Sequence, residues 1–535
     1  MPAWHVLVWW VLLAMAFLGS ALVVGRLDSR RRLVALRSRF YLGVPWGSIL
    51  SLGVVLVVYL VVQEGAVHWE RPLAIPFSAW SYLYPLGWLF AAFAHVGPGH
   101  LLSNLTSAAV LAPLAEYVLG HYPGTETEAW HADPRIRAFV LFPTFVLGLG
   151  VFTSLFTWGP VIGFSGVVFA FAGFVLVRYP LAAVIALAAR SAVRTVAGAL
   201  GEPVAVVETT ASVSPPWWYG IAVQGHALGF LAGVLAGVAL LRHRRLRPDP
   251  FRLWVGSLLV CLSLSLWAIW WVRGESTFVL YRALGVVLVA VLATLITAAP
   301  TASDRALVGR LTRRQVATAL LVVPLVGMCL VAVPLNLTTV EAQPSEDAVT
   351  VGGYAVFYGE DVSNQLFSVV EIEAFGETTD VTTSGVIVVN EDRNVWGREV
   401  TKAELETHGE GTVRIGGLAW SETIEVEREG WVVGDDPVYR VHLEHDGERT
   451  VAYASDPVAV RGSIDGRAVA LVADEDGFHI ELDGVVRAPV PGPGESVTAG
   501  GIVFVREDDA LYAVDGATAV VIAEEESYAS SQEDR

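Results

Sequence analysis

Long apolar stretches dominate the first two thirds of this chain and restrict it to very few folds. A membrane-spanning helix needs about 20 mostly apolar residues, and the sequence contains nine such stretches and a tenth candidate. They are residues 5–25, 45–63, 99–119, 138–157, 163–178, 181–200, 218–241, 252–272, 277–298 and, as the tenth, 315–337. Only 16% of the 535 residues are charged, whereas soluble domains carry about 25%. We therefore expect a polytopic α-helical membrane protein.

The formal net charge of −18 divides unevenly at Leu337. Residues 1–337 hold 23 basic and 12 acidic side chains, a net of +11, and residues 338–535 hold 12 and 41, a net of −29. Nucleic acid is excluded as a partner, because the first part is very apolar and the second would repel phosphate. Lys402 is the single lysine beside 34 arginines, which is typical of a halophilic archaeal or high-GC source.

The basic loops predict the orientation of the chain. Residues 26–39, 242–252 and 305–314 carry clustered arginines and are separated by even numbers of spans. The positive-inside rule places all three on the cytoplasmic face. Ten spans then put the N-terminus and everything after Leu337 outside the cell. The sixth stretch contains Arg190 and Arg194, and we expect a tilted or displaced span whose arginines snorkel or face protein; the alternative is a water-filled cavity that they line.

The acidic part has a different periodicity. Short β-rich runs between turn signals, among them 349–358, 385–390, 439–445 and 478–482, predict one or two β-sandwich or barrel modules. The last residues, from Glu524 on, are expected to form a disordered tail. We divide the chain into four segments. Residues 1–44 form an extra N-terminal membrane helix and a basic loop, and residues 45–241 form a six-helix core. Residues 242–337 form additional membrane helices, and residues 338–535 form an acidic, all-β extracellular domain with its tail.

Three short polar clusters interrupt the apolar stretches. They read HVGPGHLLSN over 95–104, GFSG over 163–166 and GHALGFLAG over 225–233. Polar groups in a bilayer are costly, so they are candidates for function. Taken singly each has an ordinary explanation, since small residues let helices pack closely and a lone histidine commonly packs or lines a pore. On the topology above, all three lie near one depth, toward the outer side.

Together and in this order, the clusters resemble those of the rhomboid family of intramembrane serine proteases, over about residues 45–241. The resemblance implies that Ser165 is the nucleophile and that His226 is its general base, in a dyad without an acid. It also implies that Asn104 and His100 hold the oxyanion. No metal or other cofactor is implied.

The same resemblance assigns supporting positions. His95 matches the first histidine of the HxxxxHxxxN pattern, and Phe169 matches an aromatic residue that packs on the catalytic histidine, although ordinary core packing explains it equally well. Gly163 and Gly166 have no side chain, so they let the backbone and neighbouring helices approach the nucleophile closely. A smooth helix face beside His226 is formed by Gly229, Gly233 and Gly237. The family's Trp-Arg pair before the first motif is missing here, where Leu89 follows Trp88.

The residues themselves suit this chemistry. Serine is a weak nucleophile until a base takes its proton, and histidine has the pKa for that task. We expect a multi-pass cell-membrane endopeptidase that cleaves transmembrane protein substrates near the outer face of the lipid bilayer. Two alternatives remain: a catalytically inactive rhomboid-like protein that binds client transmembrane helices, and a transporter with a polar site at the midplane. The oligomeric state is not predicted.

Overall fold

The computed structural model describes residues 38–120, 130–201, 216, 218, 221–272, 278–341, 344–345, 347–365, 373–374, 377–378, 382–515 and 518–528, together with residues 8, 11, 15 and 18. The predicted span at 5–25 and the loops 26–37 and 202–215 therefore lie outside the described residues, apart from those four positions. The chain forms two compact units, residues 1–272 with 277–338, and residues 339–535 with 273–276.

The first unit is helical. Its helices are α1 (Trp46–Val62), α2 (Pro85–Phe90), α3 (Pro98–Leu119), α4 (Pro134–Phe156), α5 (Ser165–Arg178), α6 (Pro180–Gly201), α7 (Val223–His243), α8 (Pro250–Ser263), α9 (Arg282–Thr301) and α10 (Arg313–Leu335). Among the described residues, five of them, α3, α4, α7, α9 and α10, are long and apolar enough to cross a membrane. A multi-pass membrane protein is thereby confirmed.

The predicted span over 252–272 is wrong in its second half. Helix α8 ends at Ser263, and the next residues turn through Ser265, whose φ is +56°. The chain then forms strand β1 (Trp270–Val272), which pairs antiparallel with β2 (Phe278–Leu280). Apolar residues such as these suit a strand as well as a helix, so hydropathy alone could not separate the two.

Helices α5 and α7 approach each other more closely than side chains permit. A Cβ atom built on Gly229 would lie 2.1 Å from the carbonyl oxygen of Gly166, and one on Gly233 would lie 2.0 Å from that of Ala170. From the other side, a Cβ on Gly173 would lie 2.4 Å from the carbonyl oxygen of Phe230. Small residues on both faces thus bring the two backbones into contact, and this contact fixes the relative position of the two N-terminal helix ends.

Arginine side chains gather at the C-terminal ends of α3, α5 and α7. Arg244, just after α7, donates to the carbonyl oxygens of Val118 and Leu119 at 2.8 and 2.6 Å. These carbonyls end α3 and have no partner within the helix. Arg247 pairs with Asp304 at 3.5 Å, which joins two of the basic loops. The N-terminal ends of the same three helices, with the polar clusters, therefore lie at the opposite end of the helical unit.

The second unit is β-rich, as predicted, and its described residues include a short helix, α11 (Lys402–His408), inside the expected all-β region. The strands that follow β2 in the chain are β3 Ala306–Val308, β4 Leu311–Thr312, β5 Val349–Val351, β6 Tyr354–Ser363, β7 Glu373–Ala374, β8 Glu377–Thr378, β9 Thr382–Asn390, β10 Val395–Thr401, β11 Glu410–Gly417, β12 Trp420–Val433, β13 Asp436–His445, β14 Glu448–Ala454, β15 Val458–Ala459, β16 Val469–Asp474, β17 Gly477–Leu482, β18 Val486–Pro489, β19 Ser496–Ala499, β20 Ile502–Glu507, β21 Ala510–Asp515 and β22 Thr518–Glu525.

The strands of the second unit pair into several sheets. Three of these sheets have the strand orders β10-β9-β6-β5, β14-β13-β12-β22-β21-β20-β19 and β15-β16-β17-β18. Strand β11 also pairs with β12, and β7 pairs with β8. Strands β3 and β4 belong to the first unit, where they form a hairpin before α10.

Part of the expected disordered tail is ordered. Strand β22 extends to Glu525, and the next residue, Glu526, accepts hydrogen bonds from Arg428 at 2.9 and 2.7 Å. Tyr528 donates to Glu526 at 2.6 Å. The prediction failed here because a buried arginine, 2% exposed on β12, requires a carboxylate partner. Residues 529–535 lie outside the described part.

Candidate functional site

Ser165 and His226 come together at the N-terminal ends of α5 and α7. Ser165 Oγ lies 2.9 Å from Nε2 of His226, which is a hydrogen-bond distance. Ser165 is the first residue of α5, so its backbone N–H belongs to the first turn, where amides have no partner within the helix. In the part of the chain that the structure describes, no carboxylate contacts the His226 ring.

The ring of Phe169 stacks on the ring of His226. The two centroids are 4.1 Å apart, and the planes are inclined by 12°. Phe169 follows Ser165 by four residues on α5, so both side chains lie on one face of the helix. The sequence left two explanations for Phe169 open, and the geometry places it directly against the histidine.

The first polar cluster lies beside the loop that precedes Ser165. Asn104, on α3 and 7% exposed, donates from Nδ2 to Nε2 of the fully buried His95 at 3.1 Å. The rings of His95 and His100 are 4.9 Å apart between centroids. An asparagine amide has two N–H groups, and the contact with His95 occupies one of them. The second N–H of Asn104 remains to serve another acceptor.

Gly163 is the point at which these side chains meet the Ser165 loop. Its φ is +118°, a conformation that favours glycine. A Cβ atom built there would lie 2.4 Å from Cε1 of His100 and 3.4 Å from Nδ2 of Asn104. Its backbone N–H donates to the carbonyl oxygen of Ala91 at 2.7 Å. The glycine thus lets the imidazole and the amide lie against the backbone two residues before Ser165.

Gln63 is a part of this arrangement that the sequence analysis missed. It follows α1 and is fully buried. Its Oε1 accepts from the backbone N–H of His95 at 2.7 Å, and its Nε2 donates to the carbonyl oxygens of His95 and Leu73 at 2.8 and 3.0 Å. Gln63 therefore holds the backbone on which His95 is mounted. A single glutamine at the end of an apolar stretch gives no signal of this role.

A small cavity of about 40 Å³ opens beside Ser165 and His226. Its lining includes Gly163 and Gly166, and on α4 and just beyond its end Thr153, Ser154 and Thr157. The methyl and hydroxyl of Thr153 are 3.0 and 3.1 Å from the Cβ position of Gly166. The cavity lining beside the serine is thus partly polar, which suits water.

Arg190 faces protein, which is one of the arrangements that the sequence predicts. Its guanidinium donates to Ser107 Oγ on α3 at 3.4 Å. The side chain of Arg194 lies outside the described residues.

One group of side chains among the described residues of the second unit could hold a metal ion. It consists of Glu422, His445 and Asp446, whose ligand atoms lie within 4.8 Å of one another. Such exposed acidic groups are common on protein surfaces.

Fold and site define a helical membrane protein with a serine–histidine pair at one end of the bundle. Residues 83–243 match the family model described as Rhomboid domain, which supports the rhomboid family for this part of the chain. That family consists generally of intramembrane serine proteases. The match spans α2 to α7 and thus all three polar clusters. Comparison with curated proteins and with solved structures gave no match.

Proposed function

We propose that the protein is an intramembrane serine endopeptidase that uses Ser165 as nucleophile and His226 as general base. The observation that carries this proposal is the 2.9 Å contact between Ser165 Oγ and His226 Nε2 at the mouth of a cavity. A serine and a histidine at this distance in a water-accessible site form an activated nucleophile.

The reaction follows from these two groups. Ser165 Oγ attacks the carbonyl carbon of the scissile peptide bond while His226 Nε2 takes the hydroxyl proton. His226 returns that proton to the leaving amine nitrogen as the C–N bond breaks, which leaves an acyl-serine. Water then attacks the ester carbon and gives a proton to His226. The bond from that carbon to Ser165 Oγ breaks as His226 returns the proton to the serine oxygen, and the carboxylic acid product leaves. Phe169 keeps the imidazole plane in position throughout the cycle.

The oxyanion of the tetrahedral intermediate needs donors that are already in place. We assign this role to the backbone N–H of Ser165, the free N–H of Asn104 and the imidazole of His100. The support for it is the contact of both side chains with Gly163, two residues before the nucleophile. His95 and Gln63 act indirectly, because His95 orients the Asn104 side chain and Gln63 holds the backbone of His95.

The substrate class follows from the location of the site. Arginine side chains mark the other end of α3, α5 and α7, where cytoplasmic positive charge is expected. We therefore place the site in the outer half of the bilayer, with the acidic unit outside the cell and a six-helix core from α1 and α3 to α7. The substrates are then transmembrane proteins that are cut near their outer ends.

The test is cleavage of a designed single-span substrate in liposomes by the full-length protein, with mass spectrometry of the products. Ser165→Ala and His226→Ala should each abolish cleavage. A serine-directed phosphonate should label Ser165 in the wild type. Ser154 provides an internal control, because it lines the same cavity without a histidine contact and should stay unlabelled.

Cleavage at the wild-type rate by the Ser165→Ala variant would contradict the proposal. Binding of the substrate helix without cleavage or labelling by the wild type would instead favour the inactive, client-binding alternative. Movement of a small solute across the liposome membrane without peptide-bond cleavage would favour the transporter.

A further inference from the structure

The end of α4 is capped by side chains from three other segments of the chain. The last carbonyl groups of a helix have no partner within it. Here the carbonyl oxygen of Leu155 accepts from Tyr82 Oη at 2.6 Å, and that of Phe156 accepts from Gln224 Nε2 at 2.9 Å. The third donor is Asn336, whose Nδ2 lies 2.8 Å from the carbonyl oxygen of Thr157 and 3.2 Å from that of Leu155.

Asn336 lies far outside the segment that matches the Rhomboid domain. It follows directly on α10, and its backbone N–H closes that helix by donating to Ala332 at 2.9 Å. The residue is 5% exposed. Its own carbonyl oxygen accepts from the backbone N–H of Tyr82 at 2.9 Å and from Ser81 Oγ at 3.1 Å. The residue that caps α10 thus joins the segment before α2 to the end of α4.

The wall that Asn336 holds is part of the catalytic cavity. Thr157 lines the cavity, and its Oγ1 lies 2.7 Å from the Cβ position of Gly225, the residue before His226. The same hydroxyl donates to the carbonyl oxygen of Thr153, whose side chain contacts Gly166, the residue after Ser165. Through these contacts, a displacement of the Leu155–Thr157 segment would also displace Gly225 and Gly166, the chain neighbours of His226 and Ser165.

We propose that Asn336 is a positioning residue for the active site. Helix α10 then contributes to catalysis and is not only a membrane anchor. This inference rests on the proposed function. Its physical basis is the side-chain amide of Asn336, which donates to the carbonyl oxygens of Leu155 and Thr157. These carbonyls have no partner within α4, and a buried carbonyl without a hydrogen bond is costly. Small misplacements of a catalytic wall translate into large losses of rate.

The experiment compares Asn336→Ala and Asn336→Gln with Thr318→Val in the full-length protein. Thr318 is a matched control, because it tethers the other end of the same helix by accepting from Arg242 at 2.6 Å, remote from the cavity. The readouts are kcat and KM for the designed single-span substrate, the rate of Ser165 labelling by the phosphonate, and thermal unfolding. We expect Asn336→Ala to lower kcat and labelling by about tenfold or more at a KM near that of the wild type.

Asn336→Gln keeps the amide donor on a longer side chain and should recover part of the loss, whereas Thr318→Val should match the wild type in kcat. Equal kcat and labelling rates for Asn336→Ala and Thr318→Val would overturn the inference and leave the proposed function standing. Retained cleavage by Ser165→Ala, by contrast, would overturn the proposed function itself.

Should Asn336→Ala fail to fold, Tyr82→Phe provides a second route. It removes the other donor to the Leu155 carbonyl and changes neither Asn336 nor any residue of α10. A fall in kcat of several-fold supports the positioning role of the capped segment. Unchanged kcat in a folded Tyr82→Phe protein overturns it.

Discussion

The rings of Phe169 and His226 lie face to face, 4.1 Å apart between centroids. Replacing Phe169 with alanine removes the surface that keeps the imidazole plane fixed. We expect kcat to fall about tenfold or more, because a misplaced catalytic group costs up to about 100-fold. Phosphonate labelling of Ser165 checks this directly. Phe139→Ala on α4 is the control: Phe139 packs on the rings of Tyr41 and Trp46 instead, so this variant should keep its labelling rate per folded molecule.

Gly229 faces the carbonyl oxygen of Gly166 across the α5–α7 contact. Gly229→Leu should separate the two helices, and with them Ser165 and His226, so that cleavage is lost. Gly148→Leu on α4 is the control, since a Cβ there meets nothing within 4 Å. Cysteine cross-linking between the N-terminal ends of α5 and α7 measures the separation. An active Gly229→Leu protein would contradict the proposed tight contact.

Gly163 combines a left-handed backbone with side-chain contact to His100. We expect Gly163→Ala to displace the imidazole and lower kcat by about 100-fold, since loss of one oxyanion donor costs about 10²–10³. Gly159→Ala separates the two causes, because Gly159 also has a positive φ, +71°, but an open environment. If both variants lose the same activity, backbone strain and not the His100 contact is responsible.

Gln63 makes three buried hydrogen bonds to backbone groups. Gln63→Leu leaves those groups without partners, and each buried unmet group costs about 1–3 kcal/mol. We expect a clear fall in the thermal unfolding temperature together with slower labelling of Ser165. Gln63→Glu keeps the acceptor for the His95 N–H and should lie between the leucine variant and the wild type. A leucine variant as stable as the wild type would show that the backbone rearranges without cost.

The second unit should have an acid-labile contact between β12 and β13. Glu429 accepts from His442 Nε2 at 2.7 Å and also from Arg440. The His442 hydrogen bond, followed by the charge of Arg440, lowers the pKa of Glu429 from 4.5 to about 2. A depressed carboxyl pKa stabilises the fold above the unfolded value and loses that contribution as the pH falls toward the folded value. The hydrogen-exchange protection factors of the backbone amides of β12 and β13 should therefore fall between about pH 4.5 and 2.

Glu429→Gln is the control for that measurement. Its exchange should be faster than that of the wild type at neutral pH and should lack the acid-dependent step. An unchanged acid step in this variant would assign the effect to another carboxylate.

The sequence points to the residues of the candidate site more readily than to the residues that surround them. Ser165, His226 and Asn104 lie in short polar motifs that stand out against apolar helices, so they could be found without coordinates. Gln63 and Asn336 stand alone at the ends of apolar stretches, and their partners are distant in the chain. The β1–β2 hairpin was predicted as helix because Trp and Val suit both states in an apolar context.

Helix α8 has 14 residues and is therefore about 21 Å long. The hydrocarbon layer of a typical bilayer is about 30 Å thick. Phe251 and Leu259 on α8 are 71% and 45% exposed, so we expect this flank to face lipid. Lipid tails beside a helix of this length would have to shorten or tilt to match it, at a cost of a fraction of a kcal/mol per Å. We therefore expect a thinner bilayer along this side of the protein, where a transmembrane helix of full length would expose several apolar residues to water.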